Sequence, residues 1–171
     1  MTVLVTGATG FIGSHLVKYL RDRDEKVISL IHDEPLWSIW LTEALYNTVL
    51  VRGDIRDFNF LMRVLNRYEV SDVYHLSAQS IVKIAHKDPV NTFDINVMGT
   101  VKLLEACRQI GVKKVLVQSS DKVYGDQMDA TLEHKLIPTE PYGTSKVCTD
   151  VIAQTFTKNY GMNIVLSLIH I

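Results

Sequence analysis

The sequence predicts an α/β fold: a doubly wound parallel sheet with helices on both faces, in three layers. Short apolar runs alternate with longer amphipathic ones along the whole chain. The short runs are apolar at nearly every position rather than at alternate ones, as in strands covered on both faces. A glycine-rich turn also joins the first apolar run directly to the first amphipathic one. Right-handed crossovers between parallel strands then give the doubly wound arrangement.

Thr2–Thr6 is rich in β-branched residues and predicts the first strand. Phe11–Arg21 carries Ile12, Leu16 and Leu20 on one helical face. Lys26–Ile31 predicts the second strand, and Asp33–Asn47, which holds Trp37 and Trp40, an exposed loop or short helix. Thr48–Val51 is the third strand, ended by Gly53-Asp54. Phe58–Tyr68 is a helix through Leu61, Val64 and Leu65, and Asp72–Leu76 the fourth strand. Val90–Ile110 reads as one long helix with Val97, Val101 and Leu104 on a face, stopped by Gly111. Lys114–Gln118 is the fifth strand. Tyr142–Tyr160 is a helix with Val147, Val151, Ile152 and Phe156 as its apolar residues and Gly161 as its cap. Asn163–Ile169 is the sixth strand.

The 171 residues suffice for one domain with a real core. Eighteen Lys plus Arg against nineteen Asp plus Glu give a net charge of -1, which excludes a nucleic-acid binder that works by phosphate neutralisation. No apolar run reaches the roughly 18–20 residues of a membrane helix. The opening residues lack the basic and apolar regions of a secretory signal. Cys107 and Cys148 offer neither a disulfide framework nor metal-ligand spacing. A cytoplasmic protein without metal is expected.

Gly7-Ala8-Thr9-Gly10-Phe11-Ile12-Gly13 follows a strand and opens a helix, the context of the dinucleotide-binding Rossmann fold. Gly7 permits the tight turn, Gly10 the approach of a pyrophosphate, and Gly13 close packing of the helix. The helix start offers free N–H groups and a partial positive charge to the phosphates. An acid ending the second strand would select NAD and a basic residue NADP. Here His32 holds that position and Asp33 follows, so Asp33 is either the ribose ligand or a solvated loop acid. Asp33 tips the expectation to NAD, with NADP not excluded. Asp54 lies where adenine would sit and is equally readable as a helix N-cap.

Tyr142 and Lys146 share a helix face one turn apart. A nearby ammonium and a positive nicotinamide ring would favour the phenolate of Tyr142. Ser119-Ser120-Asp121-Lys122 follows the fifth strand, which sets hydroxyl, carboxylate and ammonium at the ligand-binding edge of such a sheet.

Four motifs in this order, TGATGFIG, HLSAQS (His75–Ser80), SSDKVYG (Ser119–Gly125) and YGTSK (Tyr142–Lys146), resemble the extended short-chain dehydrogenase/reductases that act on nucleotide sugars. The resemblance covers nearly the whole chain. It implies a cofactor site built from Gly7, Gly10, Phe11, Ile12, Gly13, Asp33, Asp54, Ile55, Leu76, Ala78, Asn96, Tyr142 and Lys146. Asn96 matches the family's helix asparagine, which shapes the active site. Ser120-Asp121-Lys122 is similar to the corresponding segment of CDP-glucose 4,6-dehydratases, and epimerases usually have small residues there. The stretch Gln79–Pro89 also looks like that subfamily.

The resemblance implies catalysis by Tyr142, Lys146, Ser120, Asp121 and Lys122. Tyr142 takes the proton of the sugar 4-hydroxyl as C4 gives up hydride. Asp121 is the acid at the C6 hydroxyl, and Lys122 fills the place of the base at C5, which requires a depressed lysine pKa. The substrate is a nucleotide-diphosphate sugar. A 4-epimerase of the same fold and a non-catalytic dinucleotide-binding module are the alternatives. The family dimerises through two helices, here Val90–Ile110 and Tyr142–Tyr160. Its members are about twice this length, so residues 1–171 are expected to be the cofactor half, without the substrate-binding part.

Overall fold

The computed structural model describes residues 1–32, 38–125 and 135–168. β1 (Thr2–Thr6), α1 (Phe11–Arg21), β2 (Lys26–Ile31), α2 (Ile39–Leu45), β3 (Val49–Arg52), α3 (Phe58–Arg67) and β4 (Asp72–His75) make up the first half. α4 (Val82–Lys87), α5 (Pro89–Phe93), a π turn (Asp94–Met98), α6 (Gly99–Ile110), β5 (Lys114–Gln118), a 3₁₀ turn (Asp121–Tyr124), α7 (Pro141–Tyr160) and β6 (Ile164–Ser167) follow.

All strand pairs are parallel, in the order β3-β2-β1-β4-β5-β6. This is the doubly wound order that the alternation predicts. The near-continuous apolar strands feed two cores. Along β1, Leu4 joins the core made with Leu61, Leu65, Leu103 and Leu104, whereas Val3 and Val5 join Val17, Leu20, Leu41 and Leu45. Side chains alternate across a strand, so burial on both sides fixes a helix layer on each.

Local chemistry sets the helix ends. Asp57 caps α3 by accepting from the Phe60 amide at 2.9 Å, and Ser38 caps α2 through the Leu41 amide at 3.1 Å. Gly111 and Gly161 end α6 and α7 in the left-handed conformation, as predicted.

Three expectations need correction. Val90–Ile110 is not one regular helix: the π turn divides it, and Pro89, capped by Asp88, starts it. The extra residue in the turn rotates the face, so Thr100, Leu103, Leu104 and Cys107 are buried whereas Val97 and Val101 are only partly covered. α4 and the 3₁₀ turn are additional elements. In α7 the buried side is polar, with Ser145, Lys146, Thr149 and Asp150 inside and Val151 51% exposed. Within the stretch predicted as exposed loop or short helix, the described residues do form a short helix, α2, which buries Leu41, Ala44 and Leu45. Asp33, Trp37 and Ile169 lie outside the described residues. Among the described residues no helix is long and apolar enough to cross a membrane.

Candidate active site

The strand order reverses between β1 and β4. In open α/β sheets ligands bind in the crevice that such a reversal opens beyond the carboxyl ends of the strands. The glycine loop forms one wall of it. Gly7 has φ +70°, and a Cβ there would lie 2.9 Å from the Leu76 carbonyl carbon and the Ser77 amide. A Cβ on Gly13 would lie 2.0 Å from the Gly7 carbonyl oxygen, so these two glycines are demanded by the chain's own packing. Gly10 is different. It is exposed, and a Cβ there would meet only the Gly7 oxygen at 3.3 Å. α1 begins at Phe11 without a side-chain cap. Its bare amide end and the open Gly10 face fit a pyrophosphate. Phe11 and Ile12 stand beside it, 84% and 41% exposed. Leu76 and Ala78 lie next to the loop beyond β4, partly covered.

His32 follows β2 and Asp54 follows β3, and the structure brings them together, His32 Nε2 to Asp54 Oδ2 at 3.1 Å. Asp54 is not a helix N-cap; that place belongs to Asp57. Instead Arg56 grips Asp54, with Nε to Oδ1 at 3.0 Å and the terminal nitrogen to Oδ2 at 2.6 Å. This guanidinium contact holds the Asp54 carboxyl down at about 2. Ile55 is 5% exposed, and a Cβ on Gly99 would lie 2.7 Å from its Cδ1. Its side chain therefore belongs to the core, which leaves its backbone for the ligand contact that the resemblance implies.

Asn96 is 2% exposed. Its Oδ1 accepts from the Gln79 amide at 2.8 Å, and its Nδ2 donates to the Gln79 carbonyl at 3.1 Å and to Ser145 Oγ at 2.9 Å. Both amide protons are thus used within the protein. Asn96 ties the loop after β4 to α7. The π turn is what points it there.

Glu140 caps α7, accepting from the Tyr142 amide at 2.7 Å and the Gly143 amide at 2.6 Å. Tyr142 stands in the first turn, half-buried, with Lys146 one turn later and 5% exposed. The 3₁₀ turn packs onto this helix start. A Cβ on Gly143 would lie 2.6 Å from the Lys122 carbonyl oxygen, so a glycine beside the tyrosine lets the Asp121–Lys122 turn approach. Ser120 Oγ donates to Asp121 Oδ1 at 3.0 Å and is hydrogen-bonded to the Tyr142 phenol. The predicted catalytic residues thus converge, with Asp121 exposed and Lys122 half-buried.

Burial pushes the Tyr142 phenol above its usual value, helped by the Asp121 and Glu140 carboxylates and opposed by the Ser120 hydrogen bond. Lys146 is tied to the end of β5. Its ammonium donates to the Gln118 carbonyl, and burial lowers it to about 8 against the pull of Asp150. Asp150 and the capping Glu140 were missed in the sequence. A Y-x-x-x-K-x-x-x-D spacing on one helix was the available signal for the first.

Residues 4–170 match the family model described as GDP-mannose 4,6 dehydratase. The chain belongs to this family. Among curated relatives, it is 35% identical to a UDP-glucose 4-epimerase of Lacticaseibacillus casei over 96% of this chain and 50% of that protein. It is 34% identical to the CDP-glucose 4,6-dehydratase of Salmonella typhimurium over 92% of this chain and 46% of that one. A dTDP-glucose 4,6-dehydratase from Streptomyces venezuelae, solved with NAD bound, superposes with a TM-score of 0.86 at 32% identity, covering 98% of this chain and 55% of that one. The chain spans about half the length of the curated relatives it matches. Dehydratases and epimerases are thus both among the relatives of this chain at similar identity, and the four motifs legible in its sequence all fall within the residues the family model matches.

Proposed function

We propose that this chain is the cofactor half of a nucleotide-sugar 4,6-dehydratase, which converts an NDP-hexose to an NDP-4-keto-6-deoxyhexose with bound NAD. The observation that carries it is the Asp121–Lys122 turn seated against the start of α7. An acid and an amine on the rim beside Tyr142 suit elimination of water, whereas inversion at C4 needs neither. The remaining substrate pocket would come from the rest of a protein of its relatives' length.

The cofactor would lie with its pyrophosphate over Gly10, Phe11 and Ile12, flanked by Leu76 and Ala78, and its adenosine toward Asp54. NAD is favoured over NADP because Asp33 follows β2 and would repel a 2′-phosphate. When bound, NAD supplies the hydride acceptor at C4, the hydride donor at C6 and a positive ring near the phenol. Tyr142 takes the 4-hydroxyl proton, with Ser120 orienting the hydroxyl. The keto group formed at C4 acidifies C5–H. Lys122 takes that proton, and Asp121 gives its own to the C6 hydroxyl, which leaves as water; Lys122 then returns its proton to C5 when C6 is reduced. Two copies would pair across the segment Val90–Ile110 and α7, where Met98 of the π turn and Val151 of α7 expose apolar side chains, 44% and 51%.

Asp121→Asn and Lys122→Met, made in the protein that carries this chain with its substrate half, test the reading. Each should stop dehydration while leaving oxidation at C4, so that 4-keto sugar and reduced nicotinamide accumulate. If both variants turn over normally and no 6-deoxy sugar forms, the protein is a 4-epimerase. Unchanged function in Tyr142→Phe would leave only a dinucleotide-binding module.

A further inference from the structure

We propose that Arg56 is a positioning residue: it fixes the Asp54 carboxylate at the adenosine end of the cleft and so makes the site selective for a purine that carries an amino group. This rests on the reading of the cleft as a dinucleotide site given above. Asp54 stands in the loop just beyond β3, and its side chain is 29% exposed. Arg56 holds it from two directions. The Arg56 amide donates to Oδ1 at 2.8 Å. The guanidinium Nε donates to both oxygens at 3.0 Å, and Nη2 donates to Oδ2 at 2.6 Å. The fork is itself anchored to the neighbouring helices. Nη1 donates to Asp94 Oδ2 of the π turn at 3.1 Å and to Asn91 Oδ1 of α5 at 3.2 Å. The Arg56 carbonyl accepts from Lys102 Nζ of α6 at 2.8 Å.

Helix capping does not account for this arrangement, because Asp57 and not Asp54 caps α3. Bracing the loop does not account for it either. An arginine that only tied this loop to the π turn would need Asp94 and Asn91, and not a carboxylate two residues before it in the same loop. What a guanidinium fork adds on a carboxylate is a fixed plane as well as a fixed place. Arg56 also keeps the Asp54 carboxyl at about 2, so it is ionised and can only accept. Its remaining donor, His32 Nε2 at 3.1 Å, belongs to an exposed side chain and is the one that an incoming N–H would replace. A purine with a 6-amino group donates to such an acceptor. A purine with a 6-carbonyl oxygen sets one acceptor against another.

The test compares NAD with nicotinamide hypoxanthine dinucleotide, in which an oxygen replaces the 6-amino group. Binding of each is measured by calorimetry in the protein that carries this chain with its substrate half. The wild type should bind NAD about tenfold or more tightly than the hypoxanthine dinucleotide. Arg56→Met should weaken NAD about tenfold and bring the two affinities within about twofold of each other, because the carboxylate is no longer held. Arg56→Lys keeps the cation but not the fork, so it should also lose most of the discrimination, and it stands in if the methionine variant does not fold. An arginine that only braced the fold would weaken both dinucleotides equally, so an unchanged ratio in a folded variant overturns the proposal. A wild type that binds both dinucleotides equally well overturns it too, while the cofactor site stands. A wild type that binds neither removes the cofactor site itself, and the proposal with it.

Discussion

Gly7, Gly10 and Gly13 look alike in the sequence, and the structure gives them separate duties. Gly7 and Gly13 are pressed against backbone, at 2.9 Å and 2.0 Å from the nearest atom a Cβ would meet. Gly10 has φ -73° and ψ 169°, which any residue adopts, and its surroundings are open. Gly13→Ala should therefore lower stability by about 2 kcal/mol or more, since the clash is with backbone that cannot swing aside. Gly10→Ala should change stability by less than about 1 kcal/mol yet weaken NAD binding about tenfold or more, because the methyl stands where the phosphates approach. Urea unfolding and NAD titration of both variants separate the two effects. Equal loss of stability in both would mean that the loop is only a structural turn. The motif was legible as a whole, but its division of labour depends on what each Cβ meets, which the sequence does not record.

At the scale of single elements, α7 and the split helix before β5 explain what pattern reading found and what it missed. Apolar periodicity locates helices that bury apolar faces. It found α3 through Leu61, Val64 and Leu65, all buried. In α7 it picked out Val147 and Val151, whereas the interior side is a row of small polar residues around Lys146. Such a row carries no hydrophobic signal, so Asp150 went unnoticed although its neighbours were named. The π turn at Asp94–Met98 was equally silent, because an extra residue within a helix leaves composition unchanged. Yet it turns Asn96 toward Gln79 and Ser145. The chemistry at the start of α7 also depends on a single hydrogen in place of a side chain. Gly143→Ala would drive a methyl into the Lys122 carbonyl, 2.6 Å away, and push the Asp121–Lys122 turn off the tyrosine. Turnover should fall about tenfold to a hundredfold, since small misplacements of catalytic groups carry effects of that size. NAD affinity should change by no more than about twofold. A parallel fall in NAD affinity would show that the substitution disturbs the whole helix rather than the turn.

For the molecule as a whole, the order of strands and the two cores were legible, because a parallel sheet buried on both faces leaves few arrangements for such a sequence. The buried polar seam through its centre was not. His75 is 3% exposed, its Nδ1 2.8 Å from Thr6 Oγ1 and its Nε2 2.8 Å from Thr100 Oγ1. Thr100 Oγ1 donates to the Asn96 carbonyl, and Thr6 Oγ1 accepts from the Leu76 and Ser77 amides. Thr6 therefore donates to Nδ1 and His75 donates from Nε2, which assigns the neutral ring to one tautomer. Burial lowers His75 to about 3 from 6.5. The folded ring refuses a proton that the unfolded chain accepts, so stability is full above pH 6.5 and falls as pH drops toward 3, by up to about 1.4 kcal/mol per pH unit. His75→Gln should flatten this acid sensitivity of the melting temperature. Equal sensitivity in wild type and variant would locate the acid lability elsewhere.

The contacts that seat each part of the site also set the order in which the parts can be finished. Gly7 rests against Leu76 and Ser77, and β1 pairs with β4. The phosphate loop can therefore settle once the chain has been made as far as the residues just after β4. The catalytic rim waits longer, because Ser119 is moored to Ser167, almost the last residue described. On a ribosome, where the chain emerges from its N-terminus, the glycine loop that would seat a pyrophosphate is complete well before the rim. On the proposed reading, a growing chain would gain a hold on the cofactor's phosphates, and be steadied by it, before the proposed catalytic rim has formed.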